Sequence, residues 1–236
     1  IALMETIMKL IEKIIFDRVI EVLEEHNMLR KEQHGGLARR TAKSPIRSLA
    51  EIIEDSMQSG KELHIFSADI AKAFDSIEYW SQAMSWSALG MPAELVNMLV
   101  QMDEEGETSV ILGQGNRTDW YKAGRGVRQG SIGGPIKWVV FINFWLELVH
   151  KVAKGEGYRM SEAAPGDDET LGQVFVDDSN WVASSVEGME LLISLGEEFT
   201  EFHGIKFNKS KCEYLVANQK RNNRNEHDLP RWNNGD

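Results

Sequence analysis

Between Thr6 and His26 the apolar residues Ile7, Leu10, Ile11, Ile14 and Ile15 return at intervals of three and four, with charges on the other face. That period predicts an amphipathic helix with those residues as its apolar face. Gly35-Gly36 marks a loop, and Ser44-Pro45 opens a second helix that ends near Gly60, with Ser44 as cap and Pro45 in the first turn. The pattern then shortens to an apolar strand, Leu63 to Ala68, closed by Asp69. Ser76 to Leu89 predicts a helix stopped at Gly90, and Pro92 starts another that runs toward Glu105. Thr108 to Leu112 and Asp119 to Lys122 flank a loop containing Gly113, Gly115 and Asn116, which predicts a hairpin. After the glycine-rich turn Gly124 to Gly134, Pro135 begins a long apolar helix to about Ala153. Ser161 to Thr170 is a polar loop, and Leu171 to Val182 reads as a tight β-hairpin with Asp177-Asp178 at its turn. A helix from about Val186 to His203 and a pair of short strands from Ile205 to Val216 complete the pattern. Beyond Asn218 the residues are polar, and a disordered tail is expected.

Strands and helices around an antiparallel acidic hairpin predict an α+β fold, an antiparallel sheet with helices on one face. No segment reads GxGxxG or GxxxxGK[ST], which argues against a doubly wound nucleotide-binding fold. At 236 residues the chain can bury a sizeable core, and no internal repeat or long linker divides it. The longest apolar run, Trp138 to Leu146, is broken by Asn143, so no membrane association is expected. Cys212, the single cysteine, excludes an internal disulfide and suits a reducing, intracellular compartment, nucleus or cytoplasm. Ile1 in the first position suggests a segment of something longer.

A net charge of −11 argues against nucleic-acid binding, which usually leaves a basic footprint. The charge is patterned, however. Arg30 to Arg47 holds Arg30, Lys31, Arg39, Arg40, Lys43 and Arg47 against Glu32. Arg117 to Arg128 holds Arg117, Lys122, Arg125 and Arg128 against Asp119. Either stretch alone is equally a solvated loop. Two adjacent carboxylates at a strand turn repel one another, and a divalent cation relieves that cost. Asp69, closing another strand, supplies a third acid that can reach the same sheet end.

Five blocks, in order, resemble the reverse transcriptases of retrotransposons that lack long terminal repeats (LINE type). They are HGGLARRTAKSP (His34 to Pro45), SADIAKAFDSI (Ser67 to Ile77), GVRQGSIGGP (Gly126 to Pro135), FVDD (Phe175 to Asp178) and GIKFNKSKC (Gly204 to Cys212). The resemblance implies a right-hand polymerase palm with partial fingers and no thumb: partial fingers over 1–60, palm with finger elements over 61–217, and the polar tail over 218–236. It implies RNA-directed DNA polymerase activity, with an RNA template, a DNA primer and deoxynucleotides as partners. By the same resemblance Asp69, Asp177, Asp178 and the carbonyl of Ile70 hold two Mg²⁺, with Mn²⁺ able to substitute. The resemblance also places Phe74 beneath the incoming sugar, where its ring would exclude a 2′-hydroxyl. The resemblance further implies that Gln129 and Gly130 contact the nascent base pair, that Arg128, Arg39 and Arg40 contact template or phosphate, and that Lys211 protonates the leaving pyrophosphate or neutralises its charge, with Lys209 as the alternative.

The chain departs from the family at Ser131-Ile132, where Asp-Pro usually follows Gln-Gly. Without a thumb and the fingers arginine, duplex should be held weakly, and the fragment is expected to be weak or inactive. A second class of function stays open, a catalytically inactive remnant that binds nucleic acid or protein. Asp75 or Ser76 is read as a helix cap, Asp103-Glu104-Glu105 as a solvated helix end, and Asp167-Asp168-Glu169 as acids outside the site. His34, His64 and His203 show no ligand spacing. Trp138, Phe141, Phe144 and Trp145 are expected in the core, and Cys212 is expected to be a small buried hydrophobe.

Overall fold

The computed structural model describes residues 4–36, 41–113, 116–128, 130–163 and 169–218. Arg39, Arg40, Gln129, Asp167, Asp168 and positions 219–236 lie outside the described residues. The chain forms two compact units, Ile1–Met28 with Lys72–Phe141, and Leu29–Ala71 with Ile142–Asp236.

The first unit holds helices α1 (Thr6–Glu25), α3 (Ala73–Ser76), α4 (Tyr79–Ala88) and α5 (Ala93–Glu104), and the opening turns of α6 (Gly134–Val152). Its small ladders pair β2 (Glu107–Thr108) with β5 (Tyr121–Lys122) and β3 (Ile111–Gly113) with β4 (Asn116–Arg117). Phe16, Ile77, Trp86, Leu99, Ile136 and Trp138 form its core.

The structure turns α1 differently from the expected face. Ile7, Leu10, Ile11 and Ile14 are exposed, whereas Glu12, Phe16, Val19 and Leu23 are buried. Spacings of four, three and four define an equally good stripe, and tertiary packing selected the one with Phe16. The helix expected over Ser76 to Leu89 is α4, which starts three residues later at Tyr79, and a separate short helix, α3, ends at Ser76. Asp75 and Ser76 therefore sit inside α3 rather than capping a helix.

Asp103 is likewise no solvated helix end. It is 3% exposed and bonded at 2.6 Å to the equally buried Lys137. Burial pushes the Asp103 carboxyl up and Glu12 adds to this, while Lys137 and Arg128 pull it back. Breaking such a pair leaves a buried charge uncompensated. We expect Asp103→Ala to cost about 3–5 kcal/mol, read as a fall in the denaturant midpoint at constant slope. Replacing Asp103 and Lys137 together by apolar residues should cost much less.

The second unit is built on a four-stranded antiparallel sheet in the order β6 (Gly172–Phe175), β7 (Asp178–Ala183), β1 (Leu63–Asp69), β8 (Glu213–Ala217). Helix α2 (Lys43–Ser59) packs on it through Ile52 against Leu63, Ile65, Tyr158 and Val182. The remaining turns of α6 and helix α7 (Val186–Phe202) add Trp145, Leu146, Met189 and Leu192 to the core. Gly60 ends α2 in the left-handed conformation, as its position suggested. Ser44 is not its cap: α2 begins one residue earlier, after Ala42, with no side-chain cap.

Of the two strands expected between Ile205 and Val216, one exists, β8. The first is a lone bridge, Phe207 to Ile70, followed by a 3-10 turn, Lys209–Lys211. His64 is fully buried between Glu62, 2.8 Å from its Nε2, and the Tyr214 hydroxyl at its Nδ1. Asn218 is held rather than loose, its amide donating to the Ser56 carbonyl at 2.7 Å.

Candidate functional site

An apolar strand needs a polar exit, and β1 ends on Asp69 where the edge of the sheet meets solvent. In the β1–β7 register Asp69 stands directly opposite Asp178, the first residue of β7. Asp177 precedes it in the turn that joins β6 to β7. Two strands thus bring three acids to one sheet end. Among the described residues, no three acidic, histidine or cysteine side chains stand close enough to hold an ion between them. Like charges repel, and Lys211 engages one Asp69 oxygen, its Nζ at 3.2 Å from Oδ2.

The electrostatics agree with crowding. Asp178 is exposed, yet its carboxyl is held above the usual range, first by partial desolvation, then by Asp177 and Asp69, with Lys211 opposing them. Of the two candidate lysines, Lys211 is the one that reaches Asp69. The 3-10 turn presents it, because Lys211 N–H bonds the Asn208 carbonyl and Asn208 N–H bonds the Asp69 carbonyl at 2.7 Å. Cys212 is half-buried, with its Sγ 3.5 Å from the Asp69 amide nitrogen. It is therefore a neighbour of the site rather than a core hydrophobe.

Ile70 has a buried side chain, so only its backbone can serve the site. The bridge to Phe207 is made by flanking groups, the Ala71 N–H to Lys206 and the Asp69 carbonyl to Asn208, which leaves the Ile70 carbonyl outside those bonds.

The turn itself is strained. Val176 has φ 59°, a left-handed conformation that a β-branched residue adopts only at a cost. A brace that the sequence did not reveal lies against it. Val174 N–H bonds the Glu32 carbonyl at 2.9 Å, and His34 N–H bonds the Val174 carbonyl at 2.8 Å, so residues 32–34 run beside β6. Gly35 then packs on the turn so closely that a Cβ would lie 2.6 Å from the Val176 nitrogen. Glu32 is anchored in turn: burial alone would raise its carboxyl, but His150 and Arg30 hold it down at about 2. A glycine pair in a loop carries no sequence signal of what it packs against.

Other candidates lie in the first unit. Phe74 is half-buried with its ring 5.9 Å from that of Trp138, and its carbonyl accepts from Val127 N–H at 2.7 Å. Gly130 is exposed with φ 95°. Arg128 lays its guanidinium on Gly106, and its Nη2 is buried without a hydrogen-bond partner among the described residues. With Arg117 and Trp120 it lines a groove of about 840 Å³. Glu169, grouped with acids outside the site, accepts from the Gly155 and Gly157 N–H groups. Trp138, Phe141 and Trp145 are core residues as expected.

A family model described as reverse transcriptase (RNA-dependent DNA polymerase) matches residues 1–225. The Pol polyprotein of a type-1 retrotransposable element R2 from Nasonia vitripennis is 25% identical over 194 residues, 81% of this chain and 18% of that protein. The corresponding polyprotein of the type-2 element R2DM from Drosophila melanogaster is 26% identical over 161 residues, 68% of this chain and 14% of its own length. The chain thus spans less than a fifth of the curated relatives it matches. Among solved structures, apo telomerase of Candida tropicalis truncated from its C-terminal domain superposes with a TM-score of 0.62 at 13% identity, over 90% of this chain and 41% of that one. Telomerase of the same organism in complex with a fragment of telomeric RNA gives 0.62 at 13%, over 87% and 33%. At such identities the likeness shows the fold alone, that of a right-hand polymerase.

Proposed function

This chain belongs to the reverse transcriptase family, and from that premise we propose that it carries the nucleotidyl-transfer centre of a retrotransposon's RNA-directed DNA polymerase. The observation that carries the proposal is the register of Asp69 against Asp178, with Asp177 in the adjoining turn and Lys211 at Asp69.

The donor set suits divalent metal in kind: hard carboxylate oxygens, the Ile70 carbonyl that the bridge to Phe207 does not use, and an Asp178 carboxyl raised first by partial desolvation and then by Asp177 and Asp69. The three carboxylates would have to draw closer together to share an ion. Asp69, Asp177, Asp178 and the Ile70 carbonyl would hold two Mg²⁺, or Mn²⁺. When bound, these ions would activate the primer 3′-hydroxyl and neutralise the leaving pyrophosphate. Lys211 is 65% exposed while still paired to Asp69, so it can donate a proton to the departing pyrophosphate without leaving a buried site.

In this proposal Phe74 is the sugar gate, with Trp138 beside its ring and Val127 bonded to its carbonyl. Gln129 and Gly130 meet the nascent pair, while Arg128, Arg39 and Arg40 take template or phosphate. The partners are an RNA template, a DNA primer and deoxynucleotides, in the nucleus or cytoplasm.

The test is extension of a DNA primer on an RNA template with Mg²⁺ by the full-length protein. Deoxynucleotides should be incorporated in strong preference to ribonucleotides, and Phe74→Ala should erode that preference by about tenfold, a repulsive form of specificity being lost. A wild-type protein as inert as its Asp69→Asn variant would overturn the polymerase assignment in favour of a binding remnant.

A further inference from the structure

Glu12 is an acid in the middle of α1 that is 1% exposed. A carboxylate is buried only where hydrogen bonds replace its water. Here both oxygens are used on one short segment: Oε1 accepts from the Ser131 hydroxyl at 2.8 Å and Oε2 from the Ile132 N–H at 2.8 Å. One helical turn further on, the ring of Phe16 lies on Gly133, where a Cβ would come within 1.9 Å of it. One face of α1 therefore grips three consecutive residues, 131 to 133.

The upstream end of the same segment is fixed as well. Gly126 N–H bonds the Ile77 carbonyl at 2.8 Å, and Val127 N–H bonds the carbonyl of Phe74 at 2.7 Å. Between these anchors stand Arg128 and Gly130. One anchor is the backbone of the proposed sugar gate, and the other is a buried carboxylate.

We propose that Glu12 is a positioning residue that sets Arg128 and Gly130 for the incoming deoxynucleotide, a step that rests on the polymerase proposal above. The Ser131-Ile132 departure then has a physical reason. Ser131 and Ile132 each supply a donor to Glu12. Aspartate at 131 would set a second carboxylate against it, and proline at 132 would have no N–H to give. The unusual pair and the buried acid are one constellation, matched across 119 and 120 residues of sequence.

Single-nucleotide extension by the full-length protein tests this. Ser131→Asp should raise the deoxynucleotide KM about tenfold while kcat stays within about threefold, because binding geometry is lost and the acids are untouched. Adding Glu12→Gln should bring KM back to within about threefold of wild type, since the amide can donate to the new carboxylate. Protection of the protein from thermal unfolding by Mg²⁺ and a deoxynucleotide triphosphate gives a second readout that needs no turnover. A wild-type protein that extends no primer overturns the polymerase proposal, and protection then decides the role of Glu12. Protection lost in Ser131→Asp and regained in the double variant supports it. A Ser131→Asp protein that is less stable but unchanged in KM and protection, or a double variant as impaired as the single, overturns it.

Discussion

Asp177→Asn should abolish RNA-templated extension by the full-length protein, a loss on the order of 10³-fold or more, and leave the fold unchanged. The substitution keeps the shape of the side chain and removes its charge. A neutral amide is a poor replacement for a carboxylate as a ligand to Mg²⁺. The stability side runs the other way. Asp177 is one of the charges that hold the Asp178 carboxyl above its usual range, so removing it relieves repulsion. The variant should therefore unfold at the wild-type temperature or slightly above it. Loss of extension with retained or raised thermal stability identifies a functional carboxylate. Retained extension removes Asp177 from the chemistry, and a large fall in stability would make it a structural residue instead.

The acids were legible because their signal is local. Each closes or interrupts an apolar strand of a few residues, where a charge has no reason to be unless the sheet ends there. The lysine was legible to within two residues, and the 3-10 turn at Lys209–Lys211 is what selects Lys211. Helix ends at Gly60 and Pro92 were legible from backbone chemistry.

What sequence did not reveal depends on partners far along the chain. Asp103 looks solvated until Lys137, 34 residues on, is folded against it. Glu12 looks like part of the polar face of α1, because periodicity reports that a helix has two faces and is silent on which is buried. The strand expected at Ile205 became a bridge and a turn, because the chain leaves the end of β1 after Phe207 and closes the 3-10 turn with the Lys211 N–H on the Asn208 carbonyl. Local pattern placed the candidate acids at one sheet end, and long-range pairing placed the groups packed around them.

The largest effect expected from a residue with no chemistry of its own is at Gly35. A methyl group there would sit 2.6 Å from both the nitrogen and Cγ2 of Val176, and 3.1 Å from the Phe175 carbonyl carbon. Two of those three atoms are backbone, which a rotamer change cannot move aside. The residue pushed is already in the left-handed region, at φ 59°, where a side chain costs roughly 1–2 kcal/mol. It directly precedes Asp177, so a displaced turn moves the carboxylate. Gly35→Ala should therefore lower kcat about 10²-fold, since a misplacement of about 1 Å can cost that much, with KM for primer and template little changed. Val176→Gly relieves both the side-chain clash and the left-handed penalty. Alone it should raise stability modestly, and combined with Gly35→Ala it should recover part of the lost kcat. A Gly35→Ala protein with kcat within about threefold of wild type would show that the turn keeps its geometry without the brace.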